Sequence, residues 1–115
     1  MITIIKRLFK ATRYALNGLY TSYQRELALK IECCLSLLLF PLALVFGKTP
    51  IEKILLIGVW VCVLVVELLN SAIELVVNRI GLEHHVLSGL AKDTAAAAVF
   101  ISLLFAVFTW FFLLL

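Results

Sequence analysis

The sequence predicts an all-α integral membrane protein with three transmembrane helices and an N-terminal amphipathic helix on the membrane surface. Apolar residues make up 64% of the 115-residue chain and charged residues 15%, against roughly 45–50% and about 25% in soluble domains. A soluble chain of this length has too little interior to bury so much apolar surface. The apolar residues also collect into three long runs. We therefore expect one domain, residues 1–115, with lipid as the solvent for most of it.

Residues 3–25 are predicted to form the surface helix. Apolar side chains recur there at steps of three and four residues, the spacing of one helical face, and polar side chains form a second stripe with the same period. A basic amphipathic helix of this kind lies in the plane of the membrane interface. The apolar stripe contains Ile5, Leu8, Phe9, Leu16, Leu19, Tyr20 and Tyr23, and the polar stripe contains Lys6, Lys10, Arg13 and Asn17.

Three later runs are apolar enough and long enough to cross a membrane. Pro50 is suited to begin the second of these helices, and the helical pattern of that segment continues to about Ile80. Residues 79–92 are expected to form the loop before the third helix. The predicted membrane-crossing parts are, in order, about 27–47, 51–73 and 94–115.

The basic residues predict the orientation. Five of them precede the first span, whereas no charged residue follows Asp93. Because Lys and Arg are retained on the cytoplasmic side, the N-terminus is predicted to be cytoplasmic. The same residues would attract an anionic lipid surface, and a nucleic-acid partner is not expected. The five are Lys6, Arg7, Lys10, Arg13 and Arg25.

The second transmembrane helix carries a polar stripe. Glu67, Asn70, Glu74 and Asn78 follow one another at steps of three, four and four residues, which places them on one helical face. A carboxylate at membrane depth is costly and therefore indicates function by default. Hydrogen bonding between helices is the alternative. Hydrogen bonding between helices would explain Asn70 by itself, but it does not explain two carboxylates on the same stripe.

Depth suggests different roles for the two carboxylates. If the span begins at Ile51, about 20 residues bring it to the interface near Ser71. Glu67 then lies just inside the interface, at the depth of a lipid hydroxyl, and suits a general base. Glu74 lies about 10 Å further along the axis, within reach of water and a hydrated Mg²⁺.

Mg²⁺ typically uses one or two carboxylates together with substrate phosphates. Glu26, at the junction of the surface helix and the first span, is the best second ligand by depth. Glu32 lies deeper on that span and is the weaker candidate, suited instead to the head region of a lipid.

The stripe and the residues after it resemble a known family. The run from Glu67 to Glu74, E-L-L-N-S-A-I-E, is similar to the signature of the prokaryotic diacylglycerol kinase family. The similarity covers nearly the whole chain. It continues through Arg79-Ile-Gly81, Glu83-His84-His85, Leu87-Ser88-Gly89 and Ala91-Lys92-Asp93, and it includes Arg7, Lys10, Tyr14, Gly18 and Glu26 before the first span.

This resemblance implies an ATP-dependent and Mg²⁺-dependent enzyme that phosphorylates diacylglycerol to phosphatidate. It also implies a homotrimer in the bacterial inner membrane, with each site shared between neighbouring subunits. By position, Glu67 would be the general base, and Glu26 and Glu74 would hold Mg²⁺. The residues that would contact ATP are Arg7, Tyr14, Glu26, Glu74, Glu83, His84, His85, Lys92 and Asp93; those that would contact the lipid are Arg7, Glu32, Glu67, Asn70 and Ala96.

Three positions depart from the family pattern. Asn78 stands where the family usually has Asp, and we expect a structural role there because an amide is neither a base nor an anionic ligand. Ala96 stands where well-known members have Ser, and Asn17 replaces a basic residue.

Some residues also have simpler interpretations. His84 and His85 could be structural loop residues, and Lys92 with Asp93 could do no more than cap the third transmembrane helix. Of whole-protein alternatives, an undecaprenol kinase of the same fold is the nearest. A cation-coupled transporter would place its carboxylate near the middle of the membrane, whereas Glu67 lies near one interface.

Overall fold

The computed structural model describes all residues, 1–115, and contains four α-helices and no strand. They are α1 (Ile2–Arg25), α2 (Leu27–Phe46), α3 (Pro50–Ile80) and α4 (Val86–Leu114). The last three are long and apolar enough to cross a membrane, which confirms the predicted all-α architecture with three transmembrane helices. The placement of α1 on a membrane surface stays a prediction.

Helix α3 is the centre of the packing, since it contacts the other three helices and lies against α4 most extensively. Trp60 and Val63 of α3 are buried together with Ala106 of α4. Two indole groups add directional links. Trp60 Nε1 donates to Ser36 Oγ of α2 at 2.7 Å, and Trp110 Nε1 of α4 donates to the Leu56 carbonyl of α3 at 3.1 Å.

Most apolar side chains of the single chain face outward. No residue of α1 is buried, and in α4 only Ala95 and Ala106 are. Soluble monomers rarely expose apolar patches of such extent. The outer surface is therefore suited to lipid and to other membrane helices.

The connection between α2 and α3 is a tight capped turn. Thr49 Oγ1 accepts a hydrogen bond from the Glu52 amide at 3.1 Å, and Glu52 Oε2 accepts one from the Thr49 amide at 3.1 Å. This reciprocal pair is a capping box. Pro50 occupies the first turn of the helix, as predicted, because its missing N–H needs no partner there.

Helix α4 begins earlier than the sequence suggested. Residues 86–92, which we expected in a loop, form its first turns. The His85 side chain accepts the Leu87 amide at its Nδ1 atom, at 3.1 Å, and so caps the helix. Lys92 and Asp93 consequently lie inside the helix and do not cap it, contrary to the simpler interpretation. Gly89 did not stop the helix, since a glycine inside a helix costs only about 1 kcal/mol.

Candidate functional site

The polar stripe of α3 is arranged along one side of the helix, towards its carboxyl end. Glu67 is buried, with 5% of its surface exposed, whereas Asn70 and Glu74 are half-buried and Asn78 is exposed. Asn70 Nδ2 donates a hydrogen bond to Glu74 Oε1 at 3.3 Å. The stripe thus passes from a dry environment at Glu67 to an open one at Asn78.

Glu26 lies at the junction that the sequence predicted. It is the single non-helical residue between α1 and α2, with an extended backbone, and its side chain makes no capping hydrogen bond. Its carboxylate is close enough to Glu67 for the two charges to repel, as is the carboxylate of Glu74. Glu67 therefore lies within electrostatic range of two other carboxylates, one at the α1–α2 junction and one on α3.

Such a group of carboxylates fits a divalent cation. Like charges close together in a poorly hydrated place repel one another, and a cation relieves the repulsion. Carboxylate oxygens are also the ligands that Mg²⁺ prefers. No three His, Cys, Asp or Glu side chains of the chain lie together as a complete metal centre. Glu26 and Glu74 stay the candidate ligands, and phosphate oxygens and water would take the other positions around the ion.

Several buried polar atoms near Glu67 have no hydrogen-bond partner within the chain. They are Glu32 Oε2 on α2, and Asn70 Oδ1 and Ser71 Oγ on α3. Glu32 is 7% exposed and lies close enough to Glu67 for electrostatic repulsion. An unpaired buried polar atom costs about 1–3 kcal/mol, so these atoms mark a place where a polar ligand would be stabilised.

A second polar region lies where α3 connects to α4. A cavity of about 220 Å³ there is lined by residues of the connection and of the first turns of α4. Val77 of α3, which follows Glu74 by three residues, also lines it, so the cavity lies at the carboxyl end of the helix that carries Glu67 and Glu74. It brings together four of the residues that the resemblance assigns to ATP, namely Glu83, His84, His85 and Lys92.

Other candidate residues are not brought to this cavity by the single chain. Arg7 and Tyr14 are exposed on α1, and no residue of α1 lines the cavity. Asp93 is exposed and does not line it either. Ala96 is exposed on α4, next to the buried Ala95.

One residue of the site was missed by the sequence reasoning. Ser71 is 2% exposed, and its hydroxyl is unpaired. Its spacing gave a signal, because it follows Glu67 by four residues and so shares a helical face with it. It was overlooked because a serine in an apolar helix can bond to its own backbone.

Comparison with known proteins adds to this geometry. The model of the family described as prokaryotic diacylglycerol kinase matches residues 13–114. A protein of Haemophilus influenzae named diacylglycerol kinase is 45% identical over 108 residues, which are 94% of this chain and 92% of that protein. The diacylglycerol kinase of Escherichia coli strain K12 is 44% identical over 94% of this chain and 88% of its own length. That of Pseudomonas aeruginosa is 41% identical over 98% and 92%.

Proposed function

The chain belongs to the prokaryotic diacylglycerol kinase family, and we propose that it transfers the γ-phosphate of ATP to the free hydroxyl of diacylglycerol, giving phosphatidate. The observation that carries this proposal is the buried carboxylate of Glu67, which lies within electrostatic range of Glu26 and Glu74 on the helix whose carboxyl end lines a polar cavity. A buried base for the lipid hydroxyl and a polar region for a nucleotide are the two parts that the reaction needs.

Glu67 acts as the general base. Its carboxylate takes the proton of the lipid hydroxyl while that oxygen forms a bond to the γ-phosphorus, and the bond from phosphorus to the β-phosphate oxygen breaks to release ADP. Burial of Glu67 keeps water from competing with the lipid hydroxyl for the phosphoryl group. The lipid head region contacts Glu32, Asn70, Ala96 and Arg7.

Glu26 and Glu74 hold the metal. Mg²⁺ bound there would neutralise charge on the phosphates. Lys92 reaches into the cavity and offsets the negative charge that develops on the transferred group. The remaining nucleotide contacts come from Arg7, Tyr14, Glu83, His84, His85 and Asp93.

The assembly is a homotrimer in the bacterial inner membrane, with the N-terminus in the cytoplasm and each site shared between subunits. Three features support this assignment. Only two residues of α4 are buried within one chain, and Arg7 and Tyr14 are absent from the cavity of their own chain; both features favour contacts between subunits. The excess of basic residues at the N-terminus favours its cytoplasmic location.

The test is phosphate transfer from γ-labelled ATP by purified protein in mixed micelles with Mg²⁺. Diacylglycerol and undecaprenol are offered separately. Glu67→Gln is compared with Glu52→Gln, which makes the same change in the capping box, where Gln is also accepted. We expect the unsubstituted protein and Glu52→Gln to form labelled phosphatidate. Glu67→Gln should form it about 10²–10⁴-fold more slowly.

Two other results would change the assignment. Label on undecaprenol alone would keep the mechanism and replace the substrate. Folded protein that labels neither lipid would overturn the kinase function and favour a transporter.

A further inference from the structure

The interior between α2 and α3 contains a short hydrogen-bonded chain that the reaction does not use. Trp60 Nε1 donates to Ser36 Oγ at 2.7 Å, and Ser36 Oγ donates to the Glu32 carbonyl at 2.8 Å. All three residues are buried. The first of these bonds is the one side-chain to side-chain hydrogen bond that joins two helices of the chain.

This chain fixes the rotation of α2 against α3. The Ser36 hydroxyl uses its hydrogen and one lone pair, so its orientation is determined. Buried aliphatic residues of the two helices, such as Leu29 and Val63, have no directional preference. The capped turn at Thr49 fixes only the far end of the helical pair. The apolar interior contains no water that would replace the hydrogen bond between Trp60 and Ser36.

The rotation of α2 decides where Glu32 points. Glu32 lies one turn from Ser36 on the same face, about 6 Å along the axis. Glu67 lies two turns from Trp60 on the same face of α3, about 10 Å along the axis. Because the helices form a hairpin, both carboxylates lie on the same side of the Ser36–Trp60 bond, and they are close enough to repel.

We propose that Ser36 and Trp60 are positioning residues, whose hydrogen bond holds Glu32 opposite Glu67 and thereby shapes the lipid side of the site. The inference rests on the proposed function and deepens it. Without the bond, α2 can rotate, and Glu32 then leaves the head region of the lipid. The nucleotide region at the α3–α4 connection does not contact Ser36 or Trp60, so its affinity for ATP is unaffected.

Steady-state kinetics of Ser36→Ala test the proposal. Loss of one hydrogen bond between membrane helices changes an equilibrium constant by about threefold to tenfold. The KM for diacylglycerol is expected to rise by that factor, while the KM for ATP stays within about twofold. Ser36→Thr keeps the hydroxyl and restores the lipid KM. Trp110→Phe is the matched control, because it removes an indole hydrogen bond between α3 and α4 instead and leaves the lipid KM unchanged.

A spectroscopic measurement separates positioning from loss of structure. In the Trp110→Phe background Trp60 is the remaining tryptophan, and its fluorescence reports the hydrogen bond of its own indole. Adding Ser36→Ala should shift the emission to shorter wavelength without exposing the indole to a water-soluble quencher. An unshifted emission would overturn the proposal.

The kinetic outcomes are equally decisive. A fall in kcat with both KM values unchanged indicates fewer folded molecules and overturns the positioning role, as does an equal rise of the lipid KM in Trp110→Phe. If the unsubstituted protein is active and the lipid KM of Ser36→Ala is unchanged, this inference alone fails. If the unsubstituted protein phosphorylates no lipid, the proposed function fails and the inference fails with it.

Discussion

The amide of Asn70 and the carboxylate of Glu74 are joined by a hydrogen bond of 3.3 Å across one turn of α3. Each side chain is half-buried, so the bond is partly shielded from water. It directs the Glu74 carboxylate along the helix, on the side where Glu67 lies. A ligand that is already oriented loses less conformational entropy when it binds a cation, and the proposed metal site therefore depends on a residue that need not touch the metal.

Replacing Asn70 by leucine should weaken Mg²⁺ binding. A hydrogen bond to a charged group contributes about 1.5–3 kcal/mol, and 1.4 kcal/mol corresponds to a tenfold change. The Mg²⁺ concentration that gives half-maximal phosphate transfer is expected to rise about tenfold. The measurement is a Mg²⁺ titration at saturating ATP and lipid. Asn78→Leu, an exposed position further along α3, is the control; an equal rise in both variants would contradict the prediction.

Lys92→Met should slow phosphate transfer and leave lipid binding intact. Lys92 lines the polar cavity with Glu83 and His84, and removing one group that stabilises transition-state charge costs about 10²–10³-fold in kcat. We expect a fall of this order, with the KM for diacylglycerol unchanged. Lys48→Met is the control, since Lys48 is exposed at the opposite end of the helices. Unchanged kcat in Lys92→Met would remove Lys92 from the mechanism.

His85→Ala should destabilise the start of α4. The His85 ring caps the helix through its Nδ1 atom, and loss of a cap costs about 1 kcal/mol. His85→Asn supplies another capping acceptor and should recover most of that stability. Denaturation of the protein in mixed micelles gives the free energy of unfolding. His84→Ala, at the preceding residue, which makes no such bond, should change the free energy of unfolding by less than about 0.5 kcal/mol. Equal losses in the two alanine variants would argue against the cap.

Gly47→Ala should destabilise the α2–α3 hairpin. A Cβ atom at this buried position would lie 2.7 Å from the Ala43 carbonyl oxygen and 2.5 Å from Lys53 Cγ. The lysine can move, but the backbone oxygen cannot, and overpacking costs about 1–3 kcal/mol. Gly58→Ala has nothing within 4 Å of its new methyl group and should be neutral or stabilising. The measurement is the free energy of unfolding of each variant. Similar values for both would contradict the prediction, since the backbone of the turn would then have moved to accommodate the methyl group.

The fold could be predicted because a long apolar run in a membrane has few structural alternatives to a helix. The start of α4 was placed too late, because Ser88 and Gly89 are typical of loops and the cap by His85 needs a ring orientation that spacing does not give. The Glu67-to-Glu74 stripe followed directly from helical periodicity.

The contacts between helices could not be predicted. The Ser36–Trp60 bond joins residues 24 positions apart, and it depends on how α2 is rotated against α3. The proposed roles of Arg7 and Tyr14 came from the resemblance alone, and one chain does not bring these residues to the cavity.

The unbroken length of α3 ties the chemistry to the thickness of the bilayer. Its 31 residues extend about 46 Å, whereas the hydrocarbon core measures about 30 Å. Glu67 and Glu74 belong to the same continuous helix that crosses the core, so a change of hydrophobic thickness cannot be absorbed at a joint between the span and these two carboxylates. It must instead tilt the helix or change the height of Glu67 relative to the head groups. Lipids of different acyl length therefore act on this enzyme as host membrane as well as substrate.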